Sequence, residues 1–259
     1  MPLQTYLDIG TPWRERIPAA MRMGPTFDGD IYQFGVFTGG SLRVIRKTLI
    51  KHNLLRSVPH VWGFDSFVGL GDEDPSVEQL EQTDVQRTWK RGAYSASKAL
   101  NMTPSDGLAE HIVRHISGPS FKSDAFAQRM TFVYGFFNQS LVPTLAASYR
   151  MRPALYVDID VDQYLPAKQA LRWMFESGLI RNGTLIGYDD FGNTRLWIGG
   201  ESRAHLEIAH EYNVSFRLMN SECMVFCSYQ KEYDPRPCKG MNYHPIFRVI
   251  SVGHQGRVC

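Results

Sequence analysis

The chain predicts an α/β protein built on a doubly wound, mostly parallel sheet, with one antiparallel edge strand and an inserted helical lid. Three observations lead there. Short apolar runs alternate with helix-like stretches between residues 31 and 188, a β-α-β rhythm that implies parallel strands joined by right-handed crossovers. The interval between the second and third runs, about 68–128, is too long for an ordinary connection. Two late runs stand only three residues apart, the spacing of a hairpin that closes a sheet edge.

Taken in order, IYQFGV (31–36) is the first strand, ending at glycines. It leads into SLRVIRKTLIKHNLL (41–55), where Leu42, Ile45, Leu49 and Ile50 recur at helical spacing. HVWGFD (60–65) is the second strand. The long interval begins with the acidic GLGDEDPSVEQLEQTD and continues with SASKAL and GLAEHIVRHI at helical spacing; beside a sheet's carboxyl edge it would close over a ligand. TFVYG (131–135) and ALYVDID (154–160) follow, with a helical SLVPTLAASYR between them. The helical PAKQALRWMFESG then precedes the strand TLIGY (184–188). VSFRLM (214–219) and CMVFCSY (223–229) form the hairpin, and the tail GMNYHPIFRVISVGHQGRVC shows no regular pattern.

At 259 residues the chain suits one domain over 1–259 with the lid at about 68–128. A hydrophobic share of 43%, a charged share of 21% and a formal net charge of +2 are those of an ordinary globular protein. They give no electrostatic reason for a nucleic-acid partner. Cys223, Cys227, Cys238 and Cys259 match no disulfide framework or metal-ligand spacing, which implies reduced thiols and a cytoplasmic location. No apolar run reaches the roughly 20 residues of a membrane span, and MPLQTYLDIG lacks the form of a signal peptide.

The chemistry gathers at strand ends. Asp158, Asp160 and Asp162 lie in ALYVDIDVDQY, and Asp189 and Asp190 in GTLIGYDDF. Alternate strand residues share a face, so Asp158 and Asp160 point the same way. Two carboxylates about 4 Å apart cost roughly 4 kcal/mol at an effective dielectric near 20, so the cluster calls for a cation or protons. No Cys or His stands beside it, and a hard, oxygen-liganded ion such as Mg²⁺ fits best.

The turn after the first strand, Gln33-Phe34-Gly35-Val36-Phe37-Thr38-Gly39-Gly40-Ser41, presents glycines at a helix N-terminus. Backbone amides there favour a nucleotide-like or carboxylate group. The plain alternative is a tight turn with Ser41 as N-cap. Its G-x-x-x-G-G order is neither the dinucleotide fingerprint nor a phosphate loop. Asp65, ending the second strand in VWGFDSFVGL, is placed to accept hydrogen bonds from ribose hydroxyls. Together the two segments favour an adenosyl-containing ligand. His111 and His115 are four residues apart but lack the glutamate of a zinc helix, and Trp173, Met174 and Phe175 read as core. Phe136 and Phe137 either line a pocket or pack.

In order, these segments resemble the macrocin O-methyltransferase (TylF-like) family of class I S-adenosylmethionine (SAM)-dependent methyltransferases. QFGVFTGGSL is similar to the family's E-F-G-V-x-x-G-G-S, VWGFDSFVGL to G-F-D-S-F-E-G-L, and YGFFNQSL to G-x-F-x-x-(S/T)-L. DVDQYLPAKQAL is similar to D-x-D-x-Y-x-x-(T/S)-x-x-(A/V)-L, and GTLIGYDDF to G-(G/T)-x-I-x-x-D-D-(Y/F). The resemblance spans about 31–192. It implies a Rossmann-like fold and transfer of the SAM methyl group to a hydroxyl of a small acceptor, a sugar or another secondary metabolite.

By the same resemblance Gly35, Gly39, Gly40 and Ser41 surround the methionine part of SAM, joined by Gln33 and Thr38 of the same turn. Asp65 holds the ribose with Ser66 beside it. Asp160, Asp189 and Asp190 bind Mg²⁺; Asp162 and Asp160 are the catalytic pair, and either Asp162 or a metal-bound water takes the acceptor's proton. The chain departs from the pattern at Gln33 and Val68, each in place of Glu, and at Ala167, in place of a hydroxyl residue. A six-residue spacing to the tyrosine, as in catechol-type methyltransferases, selects Asp158 instead of Asp160 as the first metal ligand. A homodimer is the family expectation. The rival readings are a metal-independent methyltransferase that uses the aspartates as base, and a non-catalytic SAM-binding module.

Overall fold

A computed structural model describes residue 14 and residues 16–23, 27–74, 89–191, 200–219, 226–227 and 244–253. The N-terminal decapeptide, the acidic stretch from 75 to 88, and Cys223, Cys238 and Cys259 lie outside the described residues. The expected α/β sheet is present, with eight strands among the described residues: β1 Asp30–Phe34, β2 Val61–Asp65, β3 Met130–Tyr134, β4 Ala154–Ile159, β5 Leu185–Tyr188, β6 Val214–Leu218, β7 Phe226–Cys227 and β8 Ile246–Val252. Their order is β3-β2-β1-β4-β5-β8-β6-β7. The first five are mutually parallel. β6 and β7 form the antiparallel edge hairpin.

The tail adds what its pattern did not announce. IFRVISV forms β8, seated between β5 and β6 and antiparallel to both. Every backbone donor on a central strand needs a partner, and a strand from the end of the chain fills the gap that the crossover from β5 to β6 leaves.

Eight helices accompany the sheet among the described residues: α1 Ile17–Met23, α2 Gly40–Lys51, α3 Ala96–Leu100, α4 Asp106–Ser117, α5 Phe137–Ser140, α6 Leu145–Ser148, α7 Tyr164–Glu176 and α8 Gly200–Glu211. Ile17, Leu42, Ile45, Leu108, Ile112 and Ile116 share one core with Ile31 and Val61, which puts α1, α2 and α4 on one face. Trp173, Met174, Phe175, Ala204 and Ile208 share the other with Tyr32, Phe34 and Phe64, which puts α7 and α8 on the opposite face. Phe34 and Phe64 stack at 4.6 Å, and Trp173 leans on Phe64 at 5.6 Å. Because both faces are covered, β1, β4 and β5 are buried throughout.

One expected helix is cut short, and one helix was not expected. SLVPTLAASYR supplies only the end of α5 and the single turn of α6, since Pro143 lacks an N–H and disfavours helical backbone at Val142. α8 had no amphipathic signal because Glu201, Ser202 and His205 occupy its buried face. The long interval divides in two: α4 is a layer helix on α2, whereas residues 69–73 and 89–94 lie along the carboxyl edge of the sheet.

Candidate active site

β1 and β4 are neighbours whose connections run to opposite sides of the sheet, so their carboxyl ends define a topological switch point, where open α/β sheets bind ligands. Gly35 leaves β1 with φ +81°, and a Cβ there would lie 1.7 Å from the carbonyl oxygen of Asp160. Gly39 (φ +87°) is the N-cap of α2, with Ile112 and Ile116 pressed where its Cβ would be. Both glycines are therefore demanded by the protein's own packing. Ser41 is not the cap: it lies inside the first turn, and its hydroxyl donates to Asp160 Oδ2 at 2.9 Å.

Asp65 binds the same turn from the other side. Its Oδ2 accepts the N–H groups of Val36 and Phe37, each at 2.8 Å, and its Oδ1 accepts that of Phe67 at 2.6 Å. Burial pushes its carboxyl up, against the pull of these backbone donors. Gln33 donates to Gly35 O at 2.9 Å and is fully buried. It supports the turn from below and is not among the residues that line the cleft.

The acidic residues converge. Asp160, Asp189 and Asp190 each offer an oxygen, and the three lie within 4.8 Å of one another. Asp158 and Asp160 do face one way: Arg14, itself buried, donates Nε to Asp158 Oδ2 at 2.9 Å and Nη2 to Asp160 Oδ2 at 2.8 Å. Its Nη1 reaches Asp189 Oδ1 at 3.3 Å. Asp158 is fully buried and also accepts the Tyr156 hydroxyl at 2.6 Å, so it belongs to the floor beneath the trio. Asp162 takes a left-handed backbone (φ +63°) that carries it past the strand end. Glu201, buried at the start of α8, accepts Val161 N–H at 3.1 Å and Asp190 N–H at 3.0 Å, tying the two acidic loops together. His244, just before β8, meets the carbonyl of Asp189.

Charge is disfavoured across this set. Burial, then the neighbouring Asp189, holds the Asp160 carboxyl well above the usual range, against the pull of Arg14. Burial, then Asp190, does the same to Asp162, and burial, then Asp190, to Glu201. Such a field favours a bound cation or a proton. The donor set, three carboxylate oxygens, fits a hard cation, although, against expectation, an imidazole does stand beside it, His244 Nδ1 lying 3.5 Å from Asp189 Oδ1.

Above the acids lies a cleft of about 950 Å³, at the upper end of small-ligand sites. Its floor contains Gly35, Thr38, Gly40, Ser41, Asp65, Ser66, Asp160, Asp162, Asp189 and Asp190. All the residues expected at the site meet here except Gln33 and Gly39, which lie behind the turn. Phe136 is exposed on one wall, while Phe137 lines the cleft and packs edge-on against Phe34. The opposite wall joins the interval to α7. Glu73 accepts the N–H groups of Tyr164 at 2.7 Å and Leu165 at 2.9 Å, and Gln163 donates to Trp89 O at 3.3 Å.

Arg14, Glu73, Glu201 and His244 were not expected at the site. The one signal that points to Arg14 is the uncompensated charge of the aspartates themselves. Glu73 stands inside the motif-like GLGDED, but nothing local gives it α7 as a partner. Tyr164, the tyrosine of the D-x-D-x-Y pattern, is no part of the cleft. It is buried between α7 and α8, bonded to Glu207 at 2.7 Å, with Arg203 over its ring at 4.5 Å. His111 is exposed and joins no metal-capable group among the described residues.

The fold is Rossmann-like, and it is shared with solved structures of methyltransferases. The chain is similar to the crystal structure of CalS11, calicheamicin methyltransferase, with a TM-score of 0.58 and 18% identity over 95% of this chain and 79% of that one. The apo structure of CalS11, a TDP-rhamnose 3'-O-methyltransferase of calicheamicin biosynthesis, gives 0.50 and 17% over the same shares. No protein-family profile and no curated protein sequence matches the chain. No helix of the described residues is long and apolar enough to cross a membrane.

Proposed function

We propose that this chain is a Mg²⁺-dependent SAM O-methyltransferase that methylates a hydroxyl of a small acceptor, a sugar or a related secondary metabolite. The observation that supports it above all is the meeting of Asp160, Asp189 and Asp190 beside the glycine turn, in a single cleft at the switch point. The sugar O-methyltransferase named among the similar folds points the same way. The walls of the cleft offer amides and aromatic rings, Asn138, Gln139, Gln163 and Gln169 with Trp89 and Tyr94, a chemistry that suits hydroxyl groups and the apolar faces of sugar rings.

In this reading Gly35, Thr38, Gly40 and Ser41 seat the methionine part of the donor, and Asp65, with Ser66, meets the ribose through the acceptor capacity its backbone bonds leave. Asp160, Asp189 and Asp190 hold the metal. When bound, SAM supplies an electrophilic methyl carbon on sulfur, and Mg²⁺ supplies positive charge beside the acceptor oxygen. Asp162, half-buried at the cleft, would in its ionised form take the hydroxyl proton, burial and the neighbouring Asp190 making it a stronger proton acceptor, and the donor sulfur would keep the electron pair of the broken carbon–sulfur bond. The strap formed by Glu73 and Trp89 keeps water from the site and holds the reactants in line, a proximity effect of about 7–11 kcal/mol in favourable systems.

The test is Asp189→Asn, measured by SAM calorimetry and by turnover with and without chelator. Turnover falls by orders of magnitude while SAM binding persists; unchanged turnover removes the metal role. Arg14 favours a second reading, in which an internal cation neutralises the acids and the reaction needs no metal. Activity that survives chelation selects it.

A further inference from the structure

We infer that Arg14 is the positioning residue of the metal site, its guanidinium fixing Asp160 and Asp189 at the separation a single divalent cation requires. The inference rests on the reading of the aspartate trio as a metal site. Arg14 has 1% side-chain exposure, and each of its three nitrogens is spent on a different carboxylate, Asp158, Asp160 and Asp189. These carboxylates come from the ends of two adjacent strands, and a rigid planar fork sets the distance between the groups it binds. A lysine ammonium, a single point on a flexible stem, sets none.

The bonds also orient. Both contacts to Asp160, from Arg14 and from Ser41, fall on Oδ2, so Oδ1 is the oxygen left to a ligand. Asp158 anchors the fork at the buried end through Nε, which keeps Arg14 behind the trio. Its charge is shared among Asp158, Asp160 and Asp189, with the His244 ring a further neighbour of Asp189 Oδ1 at 3.5 Å. Groups that hold metal ligands from behind are worth tenfold to a hundredfold in affinity.

The experiment titrates Mn²⁺ into the full chain by calorimetry, for the native protein and Arg14→Lys, with circular dichroism to verify folding. Arg14→Lys conserves the charge and loses the fork, so Mn²⁺ affinity should fall at least about tenfold. Unchanged affinity beside a lowered melting temperature would mean a purely structural arginine and overturn the inference. Raised affinity would overturn it too, since Arg14 would then compete with the metal. If Arg14→Lys does not fold, Arg14→Ala is titrated with added guanidinium or ammonium: rescue by guanidinium alone supports the fork, and equal rescue by both refutes it. Absence of Mn²⁺ binding to the native protein is a separate result, which removes the metal reading itself.

Discussion

Gly35 and Asp160 touch backbone to side-chain space: no atom larger than hydrogen fits between the α-carbon of Gly35 and the carbonyl oxygen of Asp160. The turn that would seat a cofactor and the strand end that would hold a metal are therefore one mechanical unit. Asp160 N–H also donates to Phe34 O at 3.0 Å, and Ser41 completes the link from α2. A shift of either segment moves the other.

Gly35→Ala should consequently destabilise the protein by about 3 kcal/mol or more, since a methyl group meets backbone that cannot yield and φ is positive. Gly178→Ala is the control: its φ is +66° but nothing lies within 4 Å of its Cβ, so only the backbone strain of about 1 kcal/mol applies. Urea denaturation of the two variants separates the contact from the strain. Equal losses would mean that β1 and β4 are not locked at this point.

Glu73 acts as a cap lent to α7 by a segment 91 residues away, because Gln163 at the cap position makes no side-chain bond to the helix. Glu73→Ala should cost about 1–2 kcal/mol and speed hydrogen exchange at the Tyr164 and Leu165 amides. Glu73→Gln, with one acceptor oxygen, should fall between. Unaltered protection of both amides would show that the strap does not close on α7.

Acid should weaken the fold through His205. Burial lowers its pKa to about 3, and it lies neutral beneath the site, hydrogen-bonded to the Tyr188 hydroxyl at 2.8 Å and stacked on Phe247 at 4.5 Å. The unfolded chain takes up this proton below about pH 6.5 and the folded one only near 3. Stability from this group is thus complete above pH 6.5 and declines on acidification by up to about 1.4 kcal/mol per pH unit. Glu207 acts in the same direction lower down: despite its burial, its bonds to Lys168, Tyr164 and Arg203 hold it at about 2, so its contribution fades below pH 4.5. Chemical denaturation at pH 7 and 5 should show the slope, and His205→Gln should flatten it.

The first five strands, the glycine turn and the grouping of Asp160, Asp189 and Asp190 were legible in the chain because each is written locally. Apolar runs of strand length, glycines at a turn, and acids two residues apart at a strand end need no distant information. α8 was hidden because Glu201 and His205 replace apolar residues on its inner face, and β8 because strand pairing is settled by which edge remains open.

What the chain determined by itself is thus the sheet, its switch point and the acids delivered there. Tertiary structure decided how those acids are borne. Arg14 reaches Asp158, Asp160 and Asp189 across 144, 146 and 175 residues, and Glu201 reaches Val161 across 40. Such partners are chosen by the cost of burying charge without compensation, a condition that exists only once the chain has closed around it.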